Sequence, residues 1–191
     1  ASVGPEDPSV QIGSNLGSFA GQRLGLSAER VQTLVAAGAA AHREILERKE
    51  GTLAQMGSTV VAAYFAPGGR RVTVLHCGDS RAYRLRDGRV EALTRDHSVW
   101  AEMEAAGLAG ARQNFAWKNQ ITRALGLEGH ATCDVATHEV RPGDAFLLCS
   151  DGLYDPLDDE ALATALRASP AEACARLVKA AFEAGSNDNI T

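Results

Sequence analysis

The residues best suited to chemistry in this sequence are aspartates that follow apolar segments. Asp79 follows the run from Val74 to Cys77, and Asp151 follows the run from Phe146 to Cys149. Asp155 comes four residues after Asp151, which would place both on one side of a single turn, and Asp188 lies in Asn187-Asp188-Asn189-Ile190. Carboxylates at the ends of buried strands are costly unless they are paired, hydrogen-bonded or bound to a metal. A cluster of them predicts a cation, and all-oxygen ligation favours Mg²⁺ or Mn²⁺ over Zn²⁺.

A second interpretation of the same residues is structural. Asp-Gly and Asn-Asp-Asn are common turn sequences, in which the carboxylate accepts hydrogen bonds from nearby backbone N–H groups. From the residues alone, both interpretations stay open for Asp79, Asp151 and Asp188. We interpret Asp87, in Asp87-Gly88, and Asp144, in Pro142-Gly143-Asp144, as turn residues.

The elements that would position these aspartates follow from hydrophobic periodicity. Residues 1–26 are rich in Gly, Ser and Pro and are interpreted as an irregular lead-in. Apolar residues at helical spacing predict a helix over 31–46, with Ser27 as its N-cap, a short helix over 99–107, and two more helices after Asp158 and Ser169. Alternating patterns predict strands over 59–65, 71–77, 82–85, 89–93, 132–140 and 145–149.

Short turns connect the predicted strands, and this favours antiparallel pairing. Asp87-Gly88 between two of them is a strong signal for a two-residue hairpin. Hairpin-linked strands combined with amphipathic helices predict an α+β layered domain rather than a doubly wound sheet.

The composition supports a single domain over residues 1–191. The chain is 45% hydrophobic and 23% charged, and its longest apolar runs fall short of a membrane span. A net charge of -5 argues against nucleic-acid binding, which usually requires a basic patch. The four cysteines form no C-x-x-C pair and are predicted to be buried, reduced thiols. Together with an N-terminus that lacks signal-peptide features, they lead us to expect a cytoplasmic protein.

Six short motifs identify a family resemblance. In chain order they are Gly57-Ser58-Thr59, Cys77-Gly78-Asp79-Ser80-Arg81, Leu93-Thr94-Arg95-Asp96-His97-Ser98, Ile121-Thr122-Arg123-Ala124-Leu125-Gly126, Ser150-Asp151-Gly152-Leu153 and Asp188-Asn189-Ile190-Thr191. Each motif is weak alone, but six in this order resemble the metal-dependent Ser/Thr protein phosphatases of the 2C type (the PPM family), in their bacterial form. The resemblance runs from about residue 28 to the C-terminus.

The resemblance implies a four-layer sandwich of two antiparallel β-sheets flanked by α-helices. It also implies metal-dependent hydrolysis of phosphoserine and phosphothreonine in phosphoproteins by a metal-activated water. Two Mn²⁺ or Mg²⁺ ions, or three, would serve as cofactors. By matching motifs, Asp151 and Asp188 are the expected catalytic ligands of the core metal centre, and Asp79 and Asp155 are the candidates for a third, weaker metal site.

Other residues of these motifs receive structural roles by the same resemblance. His97 is expected to be structural, and Asn189 to orient the neighbouring carboxylate. Packing and turn roles near the site are expected for Ser58, Thr59, Thr122 and Arg123. The segment 100–120 corresponds to the family's variable flap. The expected partners are phosphorylated proteins and a cognate Ser/Thr kinase, with no nucleic acid or membrane, and a monomer is expected.

The sequence departs from the family at both ends. The family's phosphate-gripping arginine, its acidic Asn-Glu-Asp-type motif and its metal-bridging Asp-Gly-x-Gly-Gly loop are not found in residues 1–26, and the family's last core strand does not follow Thr191. Three explanations stay open: stretches omitted from this sequence, a truncated fragment, or a natural degenerate member. The last of these gives the alternative function, a catalytically inactive phosphatase-like regulatory or binding module.

Overall fold

The structure is a computed structural model that describes residues 28–108, 117, 120–127 and 132–191. Its six strands form two antiparallel sheets of three strands each. The first sheet has the order β1-β2-β5, with strands Val60–Phe65, Arg71–Cys77 and Asp134–Glu139. The second has the order β4-β3-β6, with strands Arg89–Ala92, Arg81–Arg86 and Ala145–Cys149.

Five α-helices flank these sheets in the described part of the chain. They are α1 (Ala28–Glu47), α2 (Val99–Ala105), α3 (Asp151–Tyr154), α4 (Asp159–Leu166) and α5 (Pro170–Glu183), and a 3₁₀ turn covers Gly51–Leu53. The predicted α+β class and the antiparallel sheets are confirmed.

Three apolar cores separate four layers. Ile45 of α1 packs near Cys77 of the first sheet. Between the two sheets, Val72 and Val74 pack near Ala82. On the far side of the second sheet lies the largest core, which joins strands β3 and β6 to helices α3, α4 and α5 through Tyr83, Leu85, Leu147, Cys149, Leu153, Tyr154, Leu162, Leu166 and Leu177. The order helix, sheet, sheet, helices confirms the predicted sandwich.

The turn between β3 and β4 has the predicted hairpin geometry. Asp87 has φ 51° and Gly88 has φ 79°, so both central residues are left-handed. This is the backbone that a type I′ turn requires, and its twist matches the twist of the flanking strands. The turn interpretation of Asp87 is therefore consistent with the structure.

The ends of three helices show where the predictions from sequence agree with the structure and where they differ. Helix α2 ends at Ala105, and Gly107 follows with φ 69°, as expected of a residue at C′. Ser169 precedes α5 but makes no side-chain capping hydrogen bond. The four-residue helix α3 was not predicted, because periodicity cannot identify so short an element. Residues 1–26, Ser27 and most of the segment 108–120 lie outside the described residues.

The cysteines only partly follow the prediction. All four are free thiols, and Cys77 and Cys149 are buried. Cys133 is half-buried and Cys174 is exposed. Among the described residues, no helix combines the length and apolar character that a membrane crossing needs.

Candidate metal site

Asp79 lies in the tight turn between β2 and β3, and its neighbours fix that turn. Gly78 has φ 112°, and a Cβ on it would lie 2.6 Å from the Cβ of Thr59, so this position accepts only glycine. His97 binds both backbone groups of Gly78. The Gly78 N–H donates to His97 Nδ1 at 3.1 Å, and the His97 N–H donates to the Gly78 carbonyl at 2.9 Å. These contacts hold the Asp79 backbone in place.

Asp151 begins helix α3 directly after β6, and the chain's last residues run beside it. The Ser150 N–H donates to the Thr191 carbonyl at 3.2 Å, and the Ser186 hydroxyl donates to the Gly152 carbonyl at 2.7 Å. Gly152 allows this close approach, since a Cβ there would lie 3.0 Å from the Asn189 carbonyl carbon. The packing brings the segment that carries Asp188 against the start of α3.

The four predicted aspartates form one electrostatically coupled group. Burial raises the pKa of Asp79 to about 6, and the Asp151 carboxylate adds to this effect. Burial also raises the pKa of Asp151, with further contributions from Asp188 and then Asp155. Charges act on a pKa mainly at short range, so Asp79, Asp155 and Asp188 each lie near Asp151. Asp79 and Asp151 are half-buried, whereas Asp155 and Asp188 are exposed.

Two of these carboxylates also accept backbone hydrogen bonds. The Gly152 N–H donates to Asp151 Oδ1 at 2.9 Å, and the Asn189 N–H donates to Asp188 Oδ1 at 2.7 Å. Asn189 thus orients the neighbouring carboxylate through its backbone. The turn interpretation and the metal interpretation are therefore compatible, since one carboxylate oxygen accepts the backbone N–H and the other oxygen is left for a cation.

The donor set fits a hard divalent cation. Four carboxylates could supply oxygen ligands, and a cation among them would relieve the repulsion that adds to burial in raising the pKa values of Asp79 and Asp151. The four side chains do not bring three carboxylate oxygens within 4.8 Å of one another. This open arrangement suits Mg²⁺ or Mn²⁺, because such ions retain several water ligands.

Arg81 supports the Asp79 turn in a way that the sequence analysis missed. Its Nε and Nη2 donate to the two oxygens of Asp96, each at 2.7 Å, and its Cζ lies 3.7 Å from the centre of the Tyr154 ring. The Tyr154 hydroxyl in turn donates to the Asp79 carbonyl at 3.0 Å. Arg81 and Asp96 belong to two of the six motifs, but spacing along the chain does not show that they pair.

A second group with metal-ligand chemistry includes His97, which contacts Gly78 of the same turn. One possible ligand atom from each of His76, His97 and Asp134 lies within 4.8 Å of the others. His97 Nδ1 accepts the Gly78 N–H, so its other nitrogen carries the proton and donates to Asp134 Oδ2 at 3.1 Å. His76 donates through Nε2 to the Arg95 carbonyl at 2.8 Å and stacks on the His97 ring.

These hydrogen bonds give the group a structural role. Neither nitrogen of His97 has a free lone pair with which it could bind a metal ion. Burial lowers the pKa of His97, and this outweighs the opposing effect of its hydrogen bond to Asp134. A neutral imidazole is the form that accepts the Gly78 N–H. The contacts of His97 are thus those of a structural residue.

The remaining motif residues pack around this centre. Arg123 donates to both oxygens of Asp134, at 2.7 and 3.2 Å, and to the Thr132 carbonyl. The Thr122 N–H donates to the His97 carbonyl at 2.8 Å. Thr59 Oγ1 and Ser80 Oγ are hydrogen-bonded at 2.8 Å. Ser58 forms a backbone bridge with Leu125. Asp134 itself was not identified from the sequence, because it follows no motif and begins a strand of alternating residues.

Comparison with known proteins identifies the family. The model of the Protein phosphatase 2C family matches residues 13–190. The chain therefore belongs to the protein phosphatase 2C family, as the six motifs predicted.

Bacterial members of the family are similar to this chain in sequence and in structure. The Ser/Thr protein phosphatase PstP of Mycobacterium tuberculosis is 37% identical over 144 residues, which cover 74% of this chain and 28% of that protein. The Ser/Thr phosphatase of S. agalactiae superposes with a TM-score of 0.84 at 27% identity, over 95% of this chain and 77% of that one. The catalytic domain of PstP in complex with two manganese ions superposes with a TM-score of 0.75 at 30% identity, over 94% and 78% of the two chains.

Proposed function

We propose that this protein is a Mn²⁺- or Mg²⁺-dependent phosphatase that hydrolyses phosphoserine and phosphothreonine in phosphoproteins. The observation that carries the proposal is the coupled group of Asp79, Asp151, Asp155 and Asp188, which joins the ends of strands from both sheets. Asp151 and Asp188 would hold the core ions, and Asp79 and Asp155 would hold a third.

The chain's own residues prepare this site. Exposed Asp155 and Asp188 leave one side of the group open to a phosphorylated side chain. The backbone N–H groups of Gly152 and Asn189 fix the two core carboxylates, which reduces the entropy cost of binding an ion. When bound, divalent ions would neutralise phosphoryl oxygens and lower the pKa of water.

The relatives support the reaction class and the cofactor. PstP is a Ser/Thr protein phosphatase, and its catalytic domain binds two manganese ions. For this chain we propose that the substrates are phosphoproteins, that a cognate Ser/Thr kinase is a partner, and that the protein is a monomer. We also propose that residues 1–191 form one phosphatase domain with a flap over 100–120, of which 109–116, 118 and 119 lie outside the described residues.

The test is hydrolysis of a phosphothreonine peptide by the full-length product of the gene, with Mn²⁺ titrated and EDTA as the blank. We expect Mn²⁺-dependent phosphate release that Asp151→Asn reduces by at least two orders of magnitude. The matched control is Asp87→Asn, which makes the same change at an exposed turn where asparagine also accepts a positive φ. It should retain full activity.

Two outcomes would decide against the proposal. Full activity in Asp151→Asn would exclude the assigned site. Failure of the folded, unmutated protein to release phosphate from any phosphopeptide with Mn²⁺ would favour the alternative, a catalytically inactive regulatory or binding module.

A further inference from the structure

Cys77 ends strand β2, and Cys133 immediately precedes the neighbouring strand β5. His76 and Asp134 are the last pair of this antiparallel ladder, and the same register continued by one residue would place Cys77 opposite Cys133. Opposed residues of antiparallel strands have Cα atoms about 4.5 or 5.5 Å apart, and both values fall within the range of about 4.4–6.8 Å that a disulfide spans. The two thiols share one apolar cluster, and each affects the pKa of the other, as only close neighbours do. None of the roles assigned above uses them.

The two thiols differ in access. Cys77 is fully buried, whereas Cys133 is half-buried beneath helix α1, where its Sγ would lie 3.2 Å from a Cβ on Gly38. A small oxidant from solvent would therefore reach Cys133 first. The neighbouring Cys77 thiol lowers the pKa of Cys133, and the nearby Arg123 guanidinium assists, against the opposing effects of burial and Asp134.

We propose that Cys77 and Cys133 form a dithiol that hydrogen peroxide oxidises to an intramolecular disulfide. The Cys133 thiolate attacks one peroxide oxygen, the O–O bond breaks, and the departing hydroxide takes up a proton to leave as water. Cys133 is then a sulfenic acid, and the peroxide has received two electrons. The Cys77 sulfur attacks the Cys133 sulfur, the S–O bond breaks, and the hydroxyl leaves as a second water with the Cys77 proton.

The test exposes the full chain to hydrogen peroxide, alkylates the remaining thiols and maps the peptides by mass spectrometry without reduction. The background variant is Cys174→Ser, which removes the exposed thiol that could join two chains. We expect a linked peptide pair that contains Cys77 and Cys133, with the loss of two of the three remaining thiols. Dithiothreitol should restore both thiols, and Cys149 should be alkylated after unfolding in every sample.

The matched variant is Cys133→Ser in the same background, which retains a hydrogen-bonding atom beside Cys77. It should lose no thiol to a disulfide, and its melting curve checks that it folds. The same mapping on the unmutated chain needs no substitution at all. The proposal would be overturned if both Cys77 and Cys133 remain thiols that can be alkylated after peroxide treatment. It would also be overturned if Cys133 ends as a sulfinic acid and no linked peptide forms.

Discussion

Arg81 and Asp96 form a bidentate ion pair, with two N···O distances of 2.7 Å. Only 8% of the Asp96 side chain and 23% of the Arg81 side chain are exposed. The pair links the start of β3 to the loop after β4. Arg81 also lies against the ring of Tyr154, whose hydroxyl binds the Asp79 carbonyl. The Arg81–Asp96 ion pair is thus connected through Tyr154 to the backbone of Asp79, a candidate metal ligand.

Arg81→Gln should therefore destabilise the fold, because it leaves the buried Asp96 carboxylate without its partner. Loss of one partner from a buried pair typically costs about 3–5 kcal/mol. The free energy of unfolding in urea measures the effect. The control is Arg176→Gln, which removes an exposed i,i+4 pair with Glu172 and should cost less than about 1 kcal/mol. Equal losses in the two variants would contradict the structural role of Arg81.

Gly152→Ala should weaken metal binding. Its new Cβ would overlap the Asn189 carbonyl, so the segment that carries Asp188 would move away from Asp151. We expect the Mn²⁺ concentration for half-maximal binding, measured by calorimetry, to rise at least tenfold.

The control for this substitution is Gly143→Ala. Gly143 has φ 91° and nothing within 4 Å of its Cβ position, so alanine there strains only the local backbone. It should lower stability while leaving the Mn²⁺ concentration unchanged. An unchanged Mn²⁺ affinity in Gly152→Ala would show that the approach of these two segments does not form the site.

Acid should remove a stabilising contribution of Asp144. The Arg86 guanidinium holds the pKa of Asp144 at about 2, and the Arg141 N–H assists against the opposing effect of burial. A lowered folded-state pKa means that this stability is fully present above the unfolded pKa of about 4 and is lost as the pH falls from about 4 to about 2.

Urea unfolding between pH 6 and pH 2 tests this contribution. Asp144→Asn should lose stability at pH 6 and show a smaller further loss over the acid range than the unmutated chain. Arg86→Gln should also reduce the acid-dependent loss, because it removes the main cause of the lowered pKa. An acid-range loss of the same size in all three proteins would contradict the assignment.

The sequence predicts the parts of this molecule that depend on local rules. Strand β2, helix α1 and the Asp87-Gly88 hairpin follow from periodicity and turn chemistry, which act over a few residues. Local rules cannot predict which residues from separate segments of the sequence contact each other. The contact between Arg81 and Asp96 depends on the path of the loop after β4, and the cluster of His97 with Asp134 joins that loop to a strand of the other sheet.

The candidate site shows the same division. Asp151 and Asp155 were predicted to share one turn, and helix α3 places them so, with the Asp155 N–H donating to the Asp151 carbonyl at 2.9 Å. The assignment of the four aspartates to particular ions remains a prediction. Gly152 could not be recognised as a close-approach residue, since its neighbour Asn189 is 37 residues away in the sequence.

The central claim is that the four aspartates bind divalent cations, and thermal unfolding with and without Mn²⁺ tests it most directly. An ion that binds only the folded state at 100 times its Kd adds about 2.7 kcal/mol of stability. We predict that Mn²⁺ raises the melting temperature of the unmutated chain and of Asp87→Asn, but not of Asp151→Asn or Asp188→Asn. The same rise in all four proteins, or no rise in any of them, would contradict the account.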